Sequence, residues 1–172
     1  MNTMRNIRIE KVTLNFGAGK DQKKLEKGMK LLKNITGINP IKTKTNKRIP
    51  GWGLRPGLPV GCKLTLRKNT KELVKKLLDA KENLLNPKCF DNKGNVSFGI
   101  PEYIDIPGVE YDPDIGITGL EASVTLERPG FRIKRRKIAK KAIHNNHGIT
   151  QKEAIAFMSK EFGIKVGTDD IQ

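Results

Sequence analysis

Acidic residues are missing from a long part of this chain. None occurs between Glu26 and Glu72, yet the 45 positions from Lys27 to Lys71 hold twelve Lys and Arg. A one-sign stretch of that length excludes local self-compensation and calls for a polyanion as its counter-surface. Cysteine is scarce too. Cys62 and Cys89 are too few and too far apart for a disulfide framework or a zinc site, so both read as small buried hydrophobes in a reduced, cytoplasmic interior. No apolar run approaches the roughly 18 residues of a membrane span, and the first eight residues carry no signal-type apolar stretch, so no membrane partner is expected. Nine aromatic residues in the whole chain leave few platforms on which bases could stack.

What is present is basic charge, unevenly placed. The 34 Lys and Arg against 18 Asp and Glu leave +16 and a pI of about 10.0. From Gly94 to Glu127 there is no cation but seven carboxylates, so the rest of the chain carries +23. A basic body with one acidic edge implies two partners of opposite charge. With 172 residues and 36% apolar content, the chain has the length and composition of a single folded domain spanning 1–172.

Periodicity supplies the elements. Val12, Leu14 and Phe16 alternate with Lys11, Thr13 and Asn15, which predicts a half-buried strand. Asp21 caps a helix with Leu25, Met29, Leu32 and Ile35 inward, and Gly37 stops it. A strand over 41–45 leads into the turn-rich loop 46–59. Another strand follows over 60–67, with Cys62, Leu64 and Leu66 on one side and Lys63, Thr65 and Arg67 on the other. Thr70 is the expected cap of a second helix with Leu73, Val74, Leu77 and Leu78 buried. Strands over 95–100 and 120–127 flank an irregular acidic excursion at 101–119, and Thr150 with Glu153 forms a capping box before a last helix ended by Gly163. The order β-α-β-β-α-β-β-α reads as α+β: an antiparallel sheet with helices on one face and the other face open.

The open face carries the chemistry. Lys11, Thr13, Asn15, Lys63, Thr65 and Arg67 offer hydroxyls, an amide and cations, the groups that hold phosphate and ribose. Lys42 and Lys44, on the chain's second strand and within the acid-free stretch, belong with them. An ordinary solvated face is the alternative. The absence of aromatics at these positions favours folded RNA over single strands. At the loop tip, Trp52 either stacks on a base or anchors the loop. The segment 128–141 packs eight cations into fourteen residues and reads as another RNA contact, through Arg132, Lys134, Arg135, Arg136 and Lys137, loop-like until it docks.

Catalytic patterns fail. Phe16–Lys20 resembles a phosphate-loop fragment, but Leu14 replaces the first glycine and Asp21 the magnesium-binding hydroxyl. His144 and His147 lack thiol or carboxylate neighbours in sequence and read as solvated or RNA-facing. No enzyme activity and no cofactor are expected. Charge alone also permits a DNA-compacting chromatin protein.

The blocks Glu10–Asn15, Ile35–Pro40, Thr43–Thr45 and Leu54–Arg67, with Gly116–Leu120 and Arg128–Phe131, closely resemble the universal 5S-rRNA-binding ribosomal protein family, large-subunit protein five, in its archaeal/eukaryotic form. The resemblance covers nearly the whole chain. It implies a structural protein of the central protuberance that holds 5S rRNA against large-subunit rRNA beside the other 5S-binding protein. It carries 5S contact to Lys11, Asn15 and Thr65. It places the loop with Lys47, Arg48, Trp52 and Arg55 at P-site tRNA. It also makes the excursion with Glu102, Asp105, Glu110, Asp112 and Asp114 a bridge to a basic small-subunit head protein. Ile38 stands where the family usually has a glutamine that makes a polar contact.

Overall fold

Alternation does make a strand of the first apolar segment. In the computed structural model, which describes residues 2–167, Arg8–Gly17 forms β1 with Val12, Leu14 and Phe16 buried. Helix α1, Gln22–Thr36, starts where the Asp21 carboxylate accepts from the Lys23 and Lys24 amides, and ends at Gly37 in the left-handed conformation. Its buried stripe is Leu25, Gly28, Leu31 and Leu32, whereas Met29 and Ile35 are half-buried. The stripe is turned toward Gly28 because the Phe16 ring lies on that glycine, and a Cβ there would overlap the ring at its Cδ1.

Strands β2, Ile41–Lys44, and β3, Pro59–Leu66, pair antiparallel, with Ile41 opposite Lys63 and Thr43 opposite Gly61, and a bulge after Thr43. Helix α2, Thr70–Asp79, corrects one expectation. Its cap is Asn69, at positive φ and without a side-chain cap bond, while Thr70 lies buried in the first turn. Strand β4, Leu84–Leu85, precedes β5, Asn95–Ile100, and β6, Leu120–Glu127. Helix α3, Gln151–Phe162, has the expected capping box of Thr150 and Glu153 and ends at Gly163. Strand β7, Lys165–Val166, pairs in parallel with β4. Periodicity does not announce the β4–β7 pair, because two residues are too short to show a period.

The main sheet has the order β2-β3-β1-β6-β5, and the fold is α+β as expected. The backbone divides into two compact units. One comprises Thr13–Leu66 with Gly99–Ala122, and the other the remaining described residues. In the first, α1 packs on β3, and Leu14, Phe16, Leu25, Leu32, Cys62 and Leu64 form the core. In the second, Val74, Leu77, Leu78, Val96, Phe98, Val124, Ala154 and Met158 are buried together with Phe131. Among the described residues no helix is long and apolar enough to cross a membrane.

Candidate nucleic-acid interface

Within the first unit, the side of β1 and β3 away from α1 is uncovered. Thr13 and Asn15 are half-exposed, and Lys63 and Thr65 fully so. Opposed residues of an antiparallel pair share a face, so the register adds Ile41 and Thr43 to this side, with Ile41 68% exposed. Lys42 lies opposite Cys62 and leaves the sheet on the other side, exposed because β2 is an edge strand; Lys44, beyond the bulge, is exposed as well. Gly61 lets the strands close up here, since a Cβ would sit 2.5 Å from the Phe16 carbonyl oxygen. Lys11 is half-buried farther up β1, and Arg67 is exposed just past the end of β3. No aromatic side chain stands among these positions.

Sequence reading missed an acidic neighbour. Asn15 Nδ2 donates to Glu121 Oε2 at 2.9 Å, so an exposed carboxylate borders the polar strip. The Asn15 amide oxygen remains open to accept from a ribose hydroxyl. Positive potential therefore concentrates toward β3 and β2. Strand alternation could show that Glu121 is exposed, but only the strand order places it beside Asn15.

The loop after β2 is a built structure. Ile49 bridges Leu54, a 3-10 turn spans Pro50–Trp52, and the Thr45 hydroxyl donates to the Arg55 carbonyl. Leu54, 8% exposed, is the anchor, and Trp52 is 70% exposed. Of the two readings of Trp52, the anchoring one is thereby taken by Leu54. Lys47, Arg48 and Arg55 are exposed around it.

The acidic excursion is partly neutralised from within. Lys30 of α1 meets Asp112 and Asp114 at 2.8 Å each, and Lys27 Nζ donates to the Ile115 carbonyl. The bonds to Asp112, then Asp114, hold the Lys30 amine above its ordinary value, and Lys30 draws Asp112 below the usual carboxylate range. Glu102, Asp105 and Glu110 are exposed without an ion-pair partner among the described residues, next to exposed Ile104 and Tyr111.

The basic segment belongs to the second unit and is held in place more firmly than expected. It opens with a 3-10 turn, Phe131–Lys134, whose Lys134 lies 4.7 Å from the buried Phe131 ring centroid. Arg135 pairs with Glu10 and, at 2.6 Å, with Glu127, which also binds Arg8 at 2.8 Å. Glu127 is a buried carboxylate, so Arg135 acts as its counter-ion. Arg136 Nε donates to the Ala139 carbonyl, while Arg132, Lys134 and Lys137 are exposed. His147 is not a free surface group: its Nε2 lies 2.9 Å from the Pro129 carbonyl oxygen, and its ring meets Phe131 edge-on. Arg128, 4% exposed, binds Glu153 at 2.7 Å. The Thr150 backbone amide, together with Arg128, lowers the Glu153 carboxyl. That stabilisation is present at neutral pH and is lost as pH falls through the lowered folded value.

Of the thiols, Cys62 is buried, which pushes it up to about 11, and Cys89 is half-buried. No cluster of three metal-ligating side chains occurs among the described residues.

Comparison with known proteins matches these features to one family. The profile described as ribosomal protein L5 matches residues 2–55, and the profile of the same ribosomal family's C-terminus matches residues 59–165. Large ribosomal subunit protein uL5 of Nanoarchaeum equitans is 48% identical over 95% of this chain and 97% of its own length. The uL5 proteins of Nitrosopumilus maritimus and Sulfolobus acidocaldarius are 46% and 44% identical, over 95% and 96% of this chain and 95% and 93% of their own lengths. On this extent of identity the chain belongs to the ribosomal protein L5 family, structural, non-enzymatic proteins of the large ribosomal subunit.

Proposed function

We propose that this ribosomal protein binds 5S rRNA through the uncovered side of β1 and β3 and holds it against large-subunit rRNA in the central protuberance. The observation that carries the reading is the strip Thr13, Asn15, Thr43, Lys63 and Thr65. It is polar, cationic at one side, free of aromatics, and opposite the face that α1 covers. Such a surface grips a folded backbone by phosphate and 2′-hydroxyl and reads no single bases. Lys11 on β1, Lys44 at the end of β2 and Arg67 past the end of β3 supply further charge, whereas Lys42, on the other side of the sheet, does not. Arg132, Lys134 and Lys137 extend contact to other rRNA; Arg135, engaged by two carboxylates, serves that contact by fixing the segment. The protein acts in the cytoplasm within the ribosome, beside the other 5S-binding protein.

The Lys63→Glu, Thr65→Ala double variant tests the surface. Filter binding should show 5S rRNA affinity falling roughly tenfold, for one lost phosphate contact and one hydroxyl. Both positions are exposed, so melting should be unchanged. Unaltered affinity would remove the sheet face from the 5S site.

The loop serves a second partner in the same proposal. Trp52 and Arg55, exposed at its tip with Lys47 and Arg48, are placed to meet P-site tRNA, and exposed Glu102, Asp105 and Glu110 with Ile104 and Tyr111 suit a basic small-subunit head protein. Trp52→Ala should leave 5S binding intact while footprinting on reconstituted ribosomes shows altered P-site tRNA protection. Loss of 5S binding instead would contradict this division of roles.

A further inference from the structure

The residues before β1 and helix α3 line an open groove of about 570 Å³ that the RNA-binding reading does not use. Ile7, Ala156 and Phe157 give it apolar walls, and Arg5 and Lys160 stand in its lining as cations. Arg128 lines it as well. Its Nη1 donates to the Gly148 carbonyl and its Nη2 to Glu153, but its buried Nε has no acceptor among the described residues. Burial closes that N–H to the groove, so Arg128 contributes charge to the lining and no free donor. Three cations against the single carboxylate of Glu153, itself already satisfied by Arg128 and Thr150, make the lining net positive.

We propose that this groove docks an acidic, apolar peptide segment of a protein partner. An apolar side chain enters between Ile7 and Phe157, and flanking carboxylates face Arg5 and Lys160. Charge complementarity requires an acidic occupant. The apolar walls favour a peptide over an RNA strand, whose phosphates gain nothing from them. The inference stands apart from the 5S reading, since none of the lining residues belongs to the 5S surface.

A random-peptide phage library selected on the immobilised full-length protein should enrich peptides with an aromatic or aliphatic residue between carboxylates. A synthesised representative should bind the wild type about tenfold more tightly than Ala156→Trp, read by fluorescence anisotropy. That variant fills the groove from an exposed helical position and keeps every charge. Arg5→Glu with Lys160→Glu should weaken binding by a similar factor without touching the groove walls. Equal binding to wild type and Ala156→Trp would reveal plain polycation attraction and overturn the proposal. Failure to enrich an acidic–apolar motif would do the same. So would loss of 5S rRNA affinity in Ala156→Trp, which would make the groove an RNA contact.

Discussion

Raising salt from about 50 to 200 mM should weaken binding of 5S rRNA by roughly 100- to 1000-fold. The reason lies in how the strips are built. Lys11, Lys44, Lys63 and Arg67 are point charges on or beside β1, β2 and β3, and neutralising about four phosphates releases as many counter-ions. The hydroxyls of Thr13, Thr43 and Thr65 add hydrogen bonds that salt does not screen, so a residue of affinity should survive at high salt. A double-helical DNA of equal length should bind with a similar slope but lose nearly everything, because it lacks the 2′-hydroxyls. Equal affinity for the two at 200 mM would return the protein to the class of non-specific polyanion binders. Two variants sharpen the result. Lys63→Glu should lower the slope by about one. Glu121→Gln should raise affinity a few-fold, since it removes the carboxylate that borders Asn15.

Replacing Gly28 by leucine should destabilise the protein by about 3 kcal/mol or more. In an exposed helix the exchange would stabilise, because glycine is worth about 1 kcal/mol less than a good helix former. Here the helix position is occupied from outside. The Phe16 ring, 3% exposed, fills the place where a Cβ would stand. The ring cannot retreat, because it packs in the interior between β1 and α1. Melting should drop by roughly 6–12 °C for a chain of this size. Phe16→Ala alone removes a large buried ring and should cost about 3–5 kcal/mol. The double variant should lose clearly less than the two singles added, because the leucine enters the space the ring leaves. Strict additivity would show that the two residues do not share that space.

Both predictions depend on features that differ in how far the sequence exposes them. Period-two alternation along 11–16 and 62–67 separates the buried side chains from Thr13, Asn15, Lys63 and Thr65 without any coordinates, because each strand has one face in water. Caps are equally local: Asp21, the Thr150–Glu153 box, and the glycines 37 and 163 act within one turn of the chain. Thr70 is the exception, because the preceding residue, Asn69, adopts positive φ and takes the cap position itself. The pairing of Lys30 with Asp114 joins residues 84 positions apart, and that of Arg135 with Glu10 joins residues 125 apart. No periodicity carries that information.

From the chain alone came the charge, its division into a basic majority and an acidic segment, the class of fold, and the identity of the polar strand positions. These follow from local rules, since each depends on a residue and its near neighbours. Which charges are still available to a partner was decided by the tertiary structure. Strand order set Glu121 against Asn15, the β2–β3 register sent Lys42 away from Lys63, and the folding of distant segments consumed Arg135 and Asp112 in internal pairs. Coulomb attraction depends on distance in space, and only the fold sets that distance.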